Sequence, residues 1–370
     1  MTLTRPTADA ADAGAAARRG ATRRALALLA LVAVAALIPL LGPRTALTGT
    51  GEAAAPGVAG IALLRAVLFA ALCVPAGELF AARLARRVPG APQVEAPRSW
   101  AAYAAVAGFA AALGLASLVA TGNLLPRRFA DLDLGGLYAS RDGRLALWEV
   151  NAFAVAWFCA RSRRPGAQVW PLAAVALAEA LRAHPAAEHA ALTGSGLTLV
   201  HVTCAALWAG GLLHVLRLLR AWRAAEAGGT AGPGAAGAGA AGAGAAGAGA
   251  AGAGAAGGSA AGATLLGRYA RVAAVLFAVI TATGVWSSLR RMPAGTIMDQ
   301  LTTTAYGRTL LAKVLLVTAV AVLALCARLR LRRERDPFDA RSPARAEVVV
   351  LGAVVAVSGL LTALPLPIRW

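Results

Sequence analysis

Residues 199–216 read LVHVTCAALWAGGLLHVL. Two histidines, a cysteine, a tryptophan and a Gly-Gly pair stand in a run otherwise apolar enough to lie in lipid. Groups that favour metals and protons are costly in hydrocarbon, so their presence there marks a site to be explained.

The rest of the chain has the same character. It has 370 residues, 59% of them hydrophobic and 14% charged, with a mean hydropathy of +0.66. A soluble domain needs a larger charged shell around its core. A bilayer-spanning helix needs ~20 mostly apolar residues, and nine segments meet that pattern: 25–41, 58–81, 99–121, 145–160, 168–184, 195–216, 265–288, 308–328 and 346–365. The apolar runs lack the alternation of an outer-membrane barrel. The expected fold is an all-α, polytopic transmembrane helix bundle of about nine spans.

The net charge of +19 does not point to nucleic acid, because the basic residues are spread along the chain rather than gathered on one domain. With a cytoplasmic N-terminus, 24 of the 36 Lys and Arg fall in inner segments and 10 in outer ones, while Arg65 and Lys313 lie within spans. This bias follows the positive-inside rule and places the N-terminus inside and the C-terminus outside. The first span, preceded by RRGATRR and followed by GEAAAPG, also has the form of a signal peptide. Cleavage near Ala55 would leave eight spans in unchanged orientation; an uncleaved anchor is the favoured reading.

Residues 228–263 are almost wholly Ala and Gly in GAGAA repeats. Each Gly costs a helix about 1 kcal/mol relative to Ala, and a span there would turn the basic 328–345 segment outward. The stretch is expected to be a flexible cytoplasmic linker. The organisation is therefore a basic N-terminus (1–24), an anchor and outer loop (25–57), a membrane core (58–226), the linker (227–263) and a three-span C-terminal part (264–370).

Polar groups inside the expected spans are few: Arg65 and Glu78, Glu149 and Asn151, Glu179, His201 and His214, and Lys313, with Glu347 at the start of the last span. Arg65, Glu149, Glu179 and Lys313 fall in the outer halves of their helices. They either neutralise one another as ion pairs or line a pathway. Histidine is more informative, since the chain has only His184, His189, His201 and His214. His214 lies ~20 Å deeper than His201 along the same helix and ~140° away around it, whereas Cys204 and Trp208 fall within ~60° of His201. His184 ends the preceding span at the same outer level. An imidazole pair with a nearby thiol suits copper, Cu(I) especially. The plain alternative is that these histidines make helix–helix hydrogen bonds, and that Gly210–Gly211 lets a neighbouring helix approach.

His189 reads as a loop residue. Cys73, Cys159 and Cys326 read as small apolar residues, none of the four cysteines being in an outer loop where pairing would be expected. Met292 and Met298, in the outer loop RRMPAGTIMDQLTTTAYG, are secondary thioether candidates for the metal.

Three stretches together resemble a known family: GLTLVHVTCAALWAGGLLHVLRLLR, RYARVAAVLFAVITATGVWSSLRRM and LTTTAYGRTLLAKVLLVTAVAVLALCARLR. The elements that carry the resemblance are His201, Trp208, Gly210 and Gly211; Arg268, Tyr269 and Arg271; Thr304, Tyr306, Gly307, Arg308 and Lys313; and Arg345 with Glu347. They are similar to those of the copper-resistance D (CopD) family of bacterial membrane proteins. The resemblance covers roughly 58–365 and is most specific over 184–330. It implies a plasma-membrane protein of copper handling, moving copper inward or working with periplasmic copper-binding partners.

The sequence departs from the family in its long Gly/Ala linker. No fused periplasmic copper-binding domain is expected, so copper would come from a separate carrier or as free ion. The leading expectation is a copper permease or relay with His184, His201 and Cys204 along the path and His214 or Glu78 near the inner exit. No enzymatic activity is expected: there is no nucleotide-binding G-x-x-x-x-G-K-[ST] loop. Transport would be passive or driven by the membrane potential.

Two alternatives remain. A b-type cytochrome is disfavoured, because no second histidine faces His214 to complete an inner haem. A non-catalytic membrane scaffold would leave the polar groups purely structural.

Overall fold

A computed structural model of the protein describes residues 32–124, 128, 133–184, 190–229, 246–292, 294–333 and 341–365. The basic segment 1–24, the first residues of the expected first span, His189 and the middle of the Gly/Ala stretch lie outside the described residues. Among the described residues the fold is all-helical, with no strand.

The helices are α1 (Val32–Leu47), α2 (Val58–Ala85), α3 (Ala101–Thr121), α4 (Leu134–Ala139), α5 (Arg141–Arg161), α6 (Val169–Arg182), α7 (Ala191–Gly229), α8 (Ala246–Arg291), α9 (Ile297–Thr303), α10 (Ala305–Arg333) and α11 (Arg341–Ala363). Six of them, α2, α3, α7, α8, α10 and α11, are long and apolar enough to cross a membrane. The protein is thus a multi-pass membrane protein. The expected spans at 25–41, 145–160 and 168–184 correspond to α1, α5 and α6, which fall short of that measure. Helix α5 carries Arg141, Asp142, Arg144, Glu149 and Arg161, and α6 has only 14 residues. Both still pack in the bundle, α5 against α3 and α6, and α6 against α7.

The long helices alternate in direction. One end, here called upper, holds the N-termini of α2, α5, α7 and α10; the lower end holds those of α3, α6 and α11. Local chemistry sets several starts. Asp133 accepts from Gly136 N at 2.8 Å to begin α4, and Ser140 accepts from Gly143 N at 3.1 Å to begin α5. Such side chains satisfy amide groups that have no partner in the first turn.

The Gly/Ala stretch differs from expectation at both flanks. Helix α7 runs through Gly229, and α8 begins as early as Ala246. Alanine has the highest helix propensity of any residue, and a helix already nucleated elongates far more readily than a new one starts.

Helix α2 is the hub, packing on α3, α7 and α11. Small residues let backbones meet there. A Cβ on Gly210 of α7 would lie 1.9 Å from Cys73 O of α2, and one on Gly359 of α11 would lie 2.5 Å from Ala66 N. The lower half of the α7–α8 side is a solid apolar core of Leu212, Val215, Leu219, Trp222, Leu265 and Tyr269. A second core joins α2, α3, α5 and α6 around Leu68, Phe153 and Val175.

The lower end is closed by the extended segment 91–100. Arg217 Nη2 donates to Arg98 O at 2.5 Å, and Arg268 Nη1 donates to Arg87 O just before that segment. At the upper end Arg308 Nη1 donates to Thr48 O at 2.7 Å, and Ala305 N to Glu52 Oε2 at 3.2 Å.

Candidate functional site

Above the solid core, between α7–α8 on one side and α10–α11 on the other, lies a cavity of about 240 Å³. Helix α7 turns one stripe toward it, Thr198, His201, Ala205 and Trp208, at the three- and four-residue spacing that keeps side chains on one helix face. Cys73 of α2 and Glu179 of α6 border it from behind. Thr283, Ser287 and Ser288 come from α8, Tyr306 and Lys313 from α10, and Ser358 and Thr362 from α11. The flanking helices α8 and α10 scarcely touch each other.

His201 is held in a defined state. Its Nδ1 lies 3.0 Å from Thr283 Oγ1 on α8. The Thr283 hydroxyl donates to Val279 O at 2.7 Å, sharing its proton with Ile280 O at 3.1 Å. A hydroxyl has one proton to give, and with that proton on the α8 carbonyls Thr283 Oγ1 accepts from the ring. The imidazole therefore carries its proton on Nδ1 and keeps a lone pair on Nε2. A fixed tautomer with the second nitrogen anchored is the arrangement that metal-ligating histidines require.

The other expected ligands are distributed differently. His184 is buried, with Nε2 3.0 Å from Thr198 Oγ1 and its ring against Gly194, whose Cβ would come within 2.5 Å of His184 Nδ1. His184 thus packs on α7 one turn above His201, while His201, on α7 itself, directs Nδ1 to α8. His184 does not border the cavity. Cys204 does not border it either: it packs on the apolar α7–α8 core. Cys73 takes the place at the cavity expected for Cys204. Met292 is 1% exposed and Met298 75% exposed, so the two methionines share no environment. Among the described residues no group of three or more His, Cys, Asp and Glu forms a ready metal cage.

The signature residues of the later helices have clear places. Thr304 Oγ1 accepts from Gly307 N at 3.0 Å at the start of α10. Gly307 must lack a side chain, because a Cβ would lie 1.9 Å from Gln300 O of α9. Arg308 ties α9 to the α1–α2 loop through Thr302 O and Thr48 O. Tyr269 crosses from α8 to α7, donating to Trp208 O at 2.7 Å. These contacts seat Tyr306 and Lys313 at the cavity.

The profile of the family described as Copper resistance protein D matches residues 263–361. This part of the chain is similar to the copper resistance protein D family. Comparison with curated proteins and with solved structures gave no match. The copper resistance protein D segment supplies the α8, α10 and α11 walls of the cavity. His201 and Cys73 stand outside it, on α7 and α2. The chain is accordingly a multi-pass membrane protein with one segment similar to Copper resistance protein D.

Two further polar groups lie outside the copper resistance protein D segment. The first joins α2, α5 and α6. Arg65 Nη1 donates to both Glu179 oxygens, Arg182 Nη1 lies 3.1 Å from Glu179 Oε1, and Arg182 Nη2 lies 2.9 Å from Glu149 Oε2. Glu149 is fully buried. Two guanidinium groups face two carboxyls, and this set brings together Arg65, Glu149 and Glu179 while leaving Lys313 apart. Arg182 is the member missed from sequence, because it stands within one turn of the helix end and reads as a loop charge. Arg141 completes the joint by donating to Leu181 O at 2.7 Å and His184 O at 3.2 Å.

The second group is at the lower end. Arg217 Nη1 lies 3.1 Å from His214 Nδ1, and its guanidinium stacks 3.7 Å from the centroid of the Trp100 ring. Guanidinium can only donate, so His214 accepts at Nδ1 and carries its proton on Nε2, the opposite of His201. Ligation through His214 Nδ1 would give up the Arg217 bond, and ligation through Nε2 would need its proton moved as well. Glu78 accepts from Trp100 N at 3.2 Å, placing a carboxylate at the N-terminus of α3, where the helix dipole favours it. Glu347, buried at the start of α11, lies near Tyr269.

Proposed function

We propose that the protein takes up copper, or relays it, across the plasma membrane, and that His201 is the ligand that receives the ion. The observation that carries this reading is the fixed His201 tautomer. An imidazole whose Nδ1 proton is committed to Thr283 presents its Nε2 lone pair at a cavity walled by the segment similar to Copper resistance protein D. Cys73 is the soft second donor, and thiolate with imidazole suits Cu(I). His184, one turn above, is the nearest imidazole on the approach.

In this reading the upper end is the outer face, the N-terminus is inside and the C-terminus outside, and α1, α5 and α6 complete nine spans. The charge distribution along the chain supports that orientation. Copper reaches the cavity from a separate periplasmic carrier or as the free ion, and the protein moves it without chemical conversion.

The test is the copper content of the purified full-length protein after loading with Cu(I) and desalting, together with copper uptake by cells. Wild type is expected to retain one ion per chain. His201→Ala should retain none and abolish uptake while inserting normally in the membrane, and His214→Gln should retain the ion. Wild-type copper content in His201→Ala would remove His201 from the site. Unchanged cellular copper and copper tolerance on deletion of the gene would favour a scaffold instead.

A further inference from the structure

The cavity contains one charge that the fold leaves uncompensated. Glu179, at its border, is already bound by Arg65 and Arg182. Lys313 lines the same cavity as His201. Among the described residues no carboxylate, carbonyl or hydroxyl accepts a hydrogen bond from its ammonium group. Four of the lining hydroxyls give their protons to their own helices: Thr283 to Val279 O, Ser288 to Gly284 O, Ser358 to Val354 O and Thr362 to Gly359 O.

Two unmet requirements therefore face the same small space. An ammonium group has three donors and no acceptor. A metal ion at His201 has the imidazole and, at most, the Cys73 thiol, since no third His, Cys, Asp or Glu completes a cage among the described residues. A bare cation entering beside Lys313 would also place two like charges together in low dielectric, where repulsion is strong. One exogenous anion meets all three conditions. It accepts from the ammonium group, adds a ligand to the metal and cancels a charge.

We propose that the cavity binds a small monovalent anion between Lys313 Nζ and the metal ion at His201, so that the cargo is held as a metal–anion pair. This rests on the reading of His201 as the metal ligand. The anion is of the halide class: compact enough for a cavity of about 240 Å³ that also holds the ion, and a good ligand for a soft cation. Lys313 acts as a point charge that secures the anion. The pairing also explains why a lysine rather than a carboxylate stands opposite the imidazole.

The experiment uses the purified full-length protein in detergent, loaded with Cu(I) in chloride or in gluconate buffer. X-ray absorption at the copper edge reads the ligands, and competition with a chromophoric chelator reads the affinity. Lys313→Met calibrates the competition of chloride for copper in solution. Wild type should show a chlorine scatterer at copper and at least a tenfold gain in affinity in chloride over Lys313→Met in the same buffer. Lys313→Met should lose the scatterer and the gain, and Lys313→Arg, which keeps the charge, should retain both. Copper bound through His201 with no chlorine scatterer and no chloride dependence would overturn the anion site while leaving His201 in place. Release of one proton per copper without chloride dependence would also overturn it. Copper binding that survives His201→Ala unchanged would overturn both readings.

Discussion

Replacing Gly210 by alanine tests the geometry on which the cavity depends. The added methyl would lie 1.9 Å from Cys73 O and 2.8 Å from Cys73 C, both backbone atoms of α2. Ordinary contact begins at 3.4 Å, so the two helices must separate by roughly 1.5 Å, because no flexible side chain is there to move aside. Overpacking of this kind costs typically 1–3 kcal/mol, and a clash between two backbones belongs at the upper end. We expect Gly210→Ala to lose about 2–3 kcal/mol, a factor of roughly 30 to 150 in the ratio of folded to unfolded protein.

Gly211→Ala is the internal control. Its methyl would meet Phe80 Cδ1 at 2.8 Å and Tyr269 Cε2 at 3.1 Å. These are ring atoms that can shift, and the loss should be about 1 kcal/mol. Gly267→Ala meets nothing within 4 Å and should be neutral or stabilising by a few tenths to about 1 kcal/mol. Denaturant titration of the three variants in detergent, followed by tryptophan fluorescence, gives the order. Equal stability of Gly210→Ala and wild type would refute backbone contact between α2 and α7 at this position.

Two other predictions use the same assay. Glu149→Leu should destabilise by about 1–3 kcal/mol, because it takes from Arg182 the carboxyl 2.9 Å from Nη2 and leaves only Glu179, 3.1 Å from Nη1. The double variant Glu149→Leu with Arg182→Met should recover much of that loss, and additive losses would show the pair to be uncoupled. Tyr269→Phe removes the donor to Trp208 O at 2.7 Å and should cost about 1 kcal/mol. No change would mean that the α7–α8 crossing is held by packing alone.

Much of the bundle was legible from hydropathy, because a helix in lipid must be apolar over ~20 residues. The segments of α5 and α6 read as spans from hydropathy, yet as helices they fall short of the length and apolarity of the other six, since Arg141, Arg144 and Glu149 lower the apolarity of α5 and α6 is short. The extent of helix in the Gly/Ala stretch was misjudged because glycine propensity was weighed without the alanines between. His201 was visible as an intramembrane imidazole. Its tautomer was not, for it depends on Thr283, which lies 82 residues away in sequence and on another helix. The choice between Cys204 and Cys73 turned on a rotation of about 60° around α7 and on which helix stands behind it. Single-helix geometry places Cys204 near His201 but says nothing about α2. Arg182 was missed because a charge close to a helix end is ordinarily solvated, and only the fold shows Glu149 and Glu179 reaching for it.

The recognised family region begins at residue 263, yet the imidazole and thiol of the cavity are contributed by α7 and α2. A fragment cut at that boundary would carry the ammonium group of Lys313 without the groups opposite it. It would also leave the Tyr269 hydroxyl without the carbonyl it binds. Grafting the cavity onto another protein therefore means moving α2 and α7 together with α8–α11, with the Gly210 crossing intact. The stretch that the family profile recognises and the stretch that must travel together to keep the cavity are, in this chain, different lengths of polypeptide.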